Sequence, residues 1–157
     1  MIKISKGFEI IKNLSEILQS NVPDMSFNFN IVKKRNAPFK DWYKMEVPGE
    51  TASKRSGVYF IADLEENTLY IGKAGADNLG AEIWSKFRAP NKEGKFVNSP
   101  LAKWSPDDAY RKQIVDGQVL IAAVVIWPKE FVSLVEVYLH IWCSMHGGLP
   151  PLNKRIG

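Results

Sequence analysis

The stretch SGVYFIADLEENTLYIGKAG, residues 56 to 75, carries a tyrosine on each side of the polar knot Glu65-Glu66-Asn67. Gly57 stands just ahead of Tyr59, Gly72 just behind Tyr70, and Lys73 follows Gly72. Side chains alternate faces along a strand. A tight turn centred between Glu65 and Glu66 therefore sets Tyr59 opposite Gly72 and Ile61 opposite Tyr70, so that both phenols share a face. Gly72, without a side chain, leaves space beside Tyr59. A phosphate fits such a space, with Lys73 as its charge partner. Cross-strand packing is the plainer reason for two tyrosines in one hairpin, so the rest of the chain has to decide between the two.

The elements around the hairpin follow from periodicity. Residues Ser5 to Ser20 put Phe8, Ile10, Ile11, Leu14, Ile17 and Leu18 on one helical face. Asn21, Pro23 and Asp24 end that pattern, and Ser26 to Val32 alternate as a strand. Residues 1–52 are expected to be an N-terminal elaboration, and 53–157 the main domain. Gly57 to Asp63 and Thr68 to Lys73 are the hairpin strands. Asn78 to Phe87 is expected to be a short helix, and Ala89 to Ser105, with Pro90 and Pro100, a long loop. A second short helix is expected from Pro106 through Arg111. The apolar run QVLIAAVVIW, Gln118 to Trp127, reads as a buried central strand. A helix from Lys129 to Met145 follows and stops at Gly147-Gly148. The predicted fold is α/β: a small sandwich with a three-stranded, mainly antiparallel sheet flanked by helices.

Composition narrows the possibilities. Of the 157 residues, 45% are hydrophobic and 24% charged, which suits a packed domain rather than a disordered chain. The formal net charge of +4 permits a polyanionic partner without demanding one. One cysteine excludes an intramolecular disulfide, and with two histidines it leaves too few ligands for a structural zinc cluster. No basic-then-apolar leader opens the chain, and no stretch reaches the roughly 18 apolar residues of a membrane span. A soluble, cytoplasmic protein with no membrane partner is expected.

The two tyrosine motifs and their sequels resemble the GIY-YIG nuclease family. GVY at Gly57 to Tyr59 and YIG at Tyr70 to Gly72 match its signature pair, with Val58 in place of isoleucine. VEVYL, Val135 to Leu139, is similar to the family's glutamate motif at Glu136, and PPLN, Pro150 to Asn153, to its closing asparagine motif at Asn153. The resemblance runs from Gly57 to Asn153. It implies metal-assisted cleavage of a nucleic-acid backbone, DNA first, with RNA left open. Tyr59 would orient or deprotonate the attacking water, and Tyr70 would position a phosphate or share that task. A phenol has a pKa of about 10 and needs nearby positive charge to act as a base near neutrality. Glu136 would be the metal ligand. A single carboxylate suits Mg²⁺, which keeps several waters and takes substrate phosphate oxygens. Asn153 would support the site by hydrogen bonding.

One part is out of place. The family carries an arginine on the helix after YIG, which stabilises phosphate charge. In LGAEIWSKF, Leu79 to Phe87, that position falls on Glu82. Lys86, a turn later on the same face, and Arg88 at the helix end are the candidate replacements. If neither serves, the chain is a catalytically impaired relative that binds DNA or a protein partner. A third reading is an interaction module docking through an apolar stripe of Phe8, Ile11 and Leu18. His140 shares a helix face with Glu136; it is either a ligand or base, or a hydrogen-bonded packing residue. Lys33, Lys34, Arg35, Lys54 and Arg55 are candidate phosphate contacts, as are Lys92 and Lys95. Trp84 and Trp104 are candidates for stacking on unpaired bases, with packing as the alternative.

Overall fold

A computed structural model of the chain describes residues 1–32, 48–49 and 51–156. The hairpin forms as β2 (Gly57–Ala62) and β3 (Thr68–Ala74), with Tyr59 opposite Gly72 and Ile61 opposite Tyr70. The turn lacks an Asn-Gly pair, and Asp63 does that work. Its carboxylate accepts from the backbone N–H of Glu65 and Asn67 and from the Asn67 amide. Glu66 takes the left-handed conformation, φ 69°.

The apolar run becomes β4 (Leu120–Trp127) and lies beside β2, both strands antiparallel. Gly57 is required where they meet, because a Cβ there would run into the Val124 carbonyl. On the other side of β4 lies β1 (Ser26–Val32), paired from Ser26 with Trp127 to Val32 with Ile121. The sheet therefore has four strands in the order β1-β4-β2-β3, all antiparallel, rather than the three expected. Alternation marked β1 as a strand but carried no sign of its partner.

Helices cover both faces. Tyr59, Ile61, Ile121 and Ala123 pack with Leu79, Ile83 and Phe87 of α2 (Leu79–Phe87), Leu101 of α3 (Pro100–Trp104) and Ile114 of α4 (Asp108–Val115). On the opposite face, Val58, Phe60, Ile71, Ala122 and Val124 meet Ile10, Ile11 and Leu14 of α1 (Ile4–Gln19), and Val135, Leu139 and Cys143 of α5 (Val132–Met145). The N-terminal helix and strand thus belong to the same packed body as the hairpin.

Two local expectations shift. The proline-containing stretch before Ser105 holds α3, because Pro100 sits in its first turn, where no backbone donor is needed, and the Ser99 side chain accepts from Ala102 N–H. The helix expected from Pro106 begins instead at Asp108. Asp107 caps it by accepting from the N–H groups of Ala109 and Tyr110, and it continues to Val115. Among the described residues no helix is long and apolar enough to cross a membrane.

Candidate active site

The strand register puts Tyr59 and Tyr70 on the α2 face, with ring centroids 6.1 Å apart. Alternation turns Ile71 and Lys73 to the α5 face. Glu136, which comes from α5, therefore meets Tyr70 around the outer edge of β3 rather than across a sheet face. Tyr70, Trp104, Glu136, His140, Leu152, Asn153, Lys154 and Arg155 line one cleft of about 530 Å³ there.

Tyr59 lies beneath this cleft and not in it. Its ring rests on Gly72 and is 1% exposed. A Cβ on Gly72 would stand 2.5 Å from the Tyr59 hydroxyl and 2.8 Å from the Tyr70 ring. The space expected to admit a phosphate is thus filled by the tyrosine itself. Burial pushes the Tyr59 pKa far above its ordinary value, and Tyr70, Glu82 and Glu136 add to the effect. Tyr59 is a neutral phenol whose hydroxyl interacts with that of Tyr70. It does not have the positive surroundings that a phenolic base needs. The Tyr70 pKa is also raised, chiefly by burial, with the Tyr59 hydrogen bond acting in the opposite direction.

Glu136 is nearly buried, its side chain 7% exposed, and its Oε2 lies 2.7 Å from the Lys73 ammonium. The contact is an ion pair by distance, but its angles are not those of a hydrogen bond. A carboxylate this desolvated interacts strongly with any cation brought to it. His140, one turn along α5, hydrogen-bonds the Ile71 backbone; burial is the main force lowering its pKa, so it is held neutral. Asn153 reaches the same residue from the C-terminal segment. Its Oδ1 accepts from Ile71 N–H at 2.8 Å and its Nδ2 donates to Ile71 C=O at 2.8 Å. One side chain thus mimics a peptide group on the outer edge of β3.

Glu82 stands in the first turn of α2, where the helix dipole favours a carboxylate. The Asn78 amide donates to it at 3.4 Å. It is close enough to raise the pKa of both tyrosines, so it does contribute negative charge to this region. Of the two candidate replacements, Lys86 stands beside two aromatic residues that line the cleft. Its ammonium lies 5.5 Å from the centroid of the Tyr70 ring and 5.7 Å from that of Trp104, a cation between two aromatic faces. Arg88 is exposed past the end of α2, with φ 59°, and does not line the cleft.

The other basic candidates sit elsewhere. Arg55 lines a separate groove of about 850 Å³ at the strand ends, with Ser56, Asp77, Trp127, Lys129 and Glu130. Lys54 is in the 3-10 turn just before it. Lys95 is held by Asp116 at 2.7 Å. Lys33, Lys34 and Arg35 lie outside the described residues. Trp84 packs partly buried against the core, whereas Trp104 is 45% exposed. Sequence reasoning missed Lys154 and Arg155, whose only signal was a basic pair directly after PPLN.

Among the described residues no group of three His, Cys, Asp or Glu side chains could by itself hold a metal ion. The cleft offers one buried carboxylate, Glu136, with His140 beside it. That donor set fits Mg²⁺ only as a site completed by waters and by substrate phosphate oxygens. No protein-family model, curated protein or solved structure matches this chain.

Proposed function

We propose that the chain is a metal-dependent endonuclease that hydrolyses DNA phosphodiester bonds at the cleft on the edge of β3. The observation that carries the reading is the convergence there of Tyr70, Glu136 and Asn153, which come from three separate segments of sequence. Glu136 would hold Mg²⁺ together with phosphate oxygens, and the ion would supply stabilisation of charge on the phosphate and the leaving oxygen. Lys73 and Lys86 flank the phosphate with positive charge. The Tyr70 hydroxyl, whose pKa is raised by burial, keeps its proton and would donate a hydrogen bond to a phosphate oxygen. In the reaction a water oxygen bonds to phosphorus, the bond to one sugar oxygen breaks, the water proton passes to solvent, and solvent returns a proton to the released sugar oxygen, leaving a phosphomonoester and an alcohol. Tyr59 holds Tyr70 in position and takes no proton. His140 and Asn153 fix the backbone of β3 at Ile71, between Tyr70 and Gly72.

Glu82 favours a second reading, in which the cleft binds DNA or a protein without cutting. A plasmid-nicking assay separates the two. The nuclease reading expects nicking with Mg²⁺ that falls at least about a hundredfold in Glu136→Gln, the scale of a lost charge-stabilising group. Mg²⁺-independent nicking, or nicking unchanged in Glu136→Gln, rules it out. DNA binding without nicking leaves the second reading standing.

A further inference from the structure

We propose that Trp104 is a stacking platform for an unpaired nucleobase, so that the cleft takes a nucleic acid with a single-stranded nucleotide beside the reactive phosphate. This rests on the nuclease reading and names its substrate class.

The backbone under Trp104 is locked while its ring is left out. Ser99 caps α3 and donates from its hydroxyl to the Lys86 carbonyl at 2.6 Å. Leu101 and Ala102 are buried. Arg111 clamps the end of the helix, its Nε donating to Ala102 C=O at 3.3 Å and its Nη2 to Ser105 C=O at 2.9 Å. A five-residue helix held at both ends presents a large apolar ring to the cleft. A backbone fixed in this way leaves only the two side-chain torsions of Trp104 to be ordered when a base stacks on it.

The neighbours match a nucleotide rather than an apolar ligand. Lys86 lies between Trp104 and Tyr70 and can meet the phosphate attached to a stacked base. Lys154 and Arg155 line the same cleft and can follow the backbone onward. Aromatic faces interleaved with cations along one groove are how single strands are held without sequence readout. A base inside a duplex has both faces covered by its neighbours. Only an unpaired or terminal base offers a face to Trp104.

The test is fluorescence anisotropy without Mg²⁺, using a labelled oligothymidine and a labelled hairpin whose stem is fully paired, whose loop is a base-free hexaethylene glycol linker and whose open end is capped by the dye, at one low salt concentration. Base stacking on an aromatic ring is lost on truncation with a drop of about fivefold to a hundredfold in affinity. Trp104→Ala and Trp104→Leu should each weaken oligothymidine binding within that range and leave hairpin binding within about twofold. Trp104→Phe, which keeps a ring, should retain most of the affinity. Trp127→Ala removes a tryptophan that is 52% exposed but lies in the other groove, and should change neither ligand. Circular dichroism reports whether each variant folds, and Trp104→Leu keeps apolar bulk that alanine removes. Equal loss on both ligands, or no loss on either, overturns the proposal. Hairpin binding and plasmid nicking without oligothymidine binding overturn it while leaving the nuclease reading intact. Failure to bind either ligand overturns the proposal, and the nuclease reading is then decided by the nicking assay alone.

Discussion

The groove at the strand ends and the cleft at the edge of β3 contain similar parts. Each has an exposed tryptophan, a lysine and at least one carboxylate, and the groove is the larger, about 850 Å³ against 530 Å³. They differ in how their charges are solvated. In the groove Lys129 stands 3.6 Å from Asp77, and both side chains are about half exposed. Water screens that pair, and its contribution is small. In the cleft Glu136 is nearly dry and Lys73 lies 2.7 Å away. Desolvation strengthens a carboxylate's interaction with a cation. On the nuclease reading proposed above, burial of charge rather than size or residue type sets the cleft apart.

The largest effect that sharpens this contrast comes from Gly72→Ala. A new Cβ 2.5 Å from the Tyr59 hydroxyl must displace a buried ring, which costs about 1–3 kcal/mol as overpacking. Chemical denaturation should show a lower midpoint with an unchanged slope. An unchanged midpoint would mean that Tyr59 moves freely and that the floor of the cleft is soft.

A paired substitution tests the comparison directly. Lys73→Met leaves Glu136 buried without its cation, at a cost of about 1–3 kcal/mol. That is below the full value for a buried pair, because Lys73 is 37% exposed. Lys129→Met in the groove should cost less than about 0.5 kcal/mol. Equal costs measured by denaturation would erase the distinction between the two sites.

The smallest effect is a pH slope. The His140 pKa is lowered in the folded protein, chiefly by burial. Below the ordinary histidine pKa of about 6.5 the unfolded chain therefore binds a proton that the folded chain resists. Stability should be flat above that pH on this account and decline as pH falls through it, until the folded state is also protonated. His140→Gln should flatten the decline between pH 7 and 5. A decline of the same steepness in the variant would assign it to other groups.

How much of this was legible in the sequence depended on whether the signal was local. The hairpin register was readable because a short turn fixes it and Gly72 must oppose Tyr59. The helix carrying Glu136 was readable from an apolar run between Pro128 and Gly147. Depth was not readable: alternation gives the face of Tyr59 but not that β2 lies inside the sheet and β3 at its edge, which is why a site expected to be open proved filled. The pairing of β1 with β4 was hidden because it joins segments far apart in sequence. The α3 helix was hidden because Pro100 reads as a breaker until Ser99 is seen as its cap. Lys154 and Arg155 were hidden because charges after a motif resemble any solvated segment.

The Asn153 contact has a consequence apart from chemistry. A strand at the rim of a sheet presents a ladder of open amides and carbonyls, and a second chain can add itself there. In β3 the ladder would run along Thr68 to Ile71, an apolar stretch suited to such growth. The protein closes it piece by piece: Ile2 C=O accepts from Thr68 N–H, Leu152 N–H donates to Leu69 C=O, and the Asn153 amide satisfies both polar groups of Ile71. The same few residues that shape the cleft therefore also guard against aggregation. Damage to this closure should show as poor solubility.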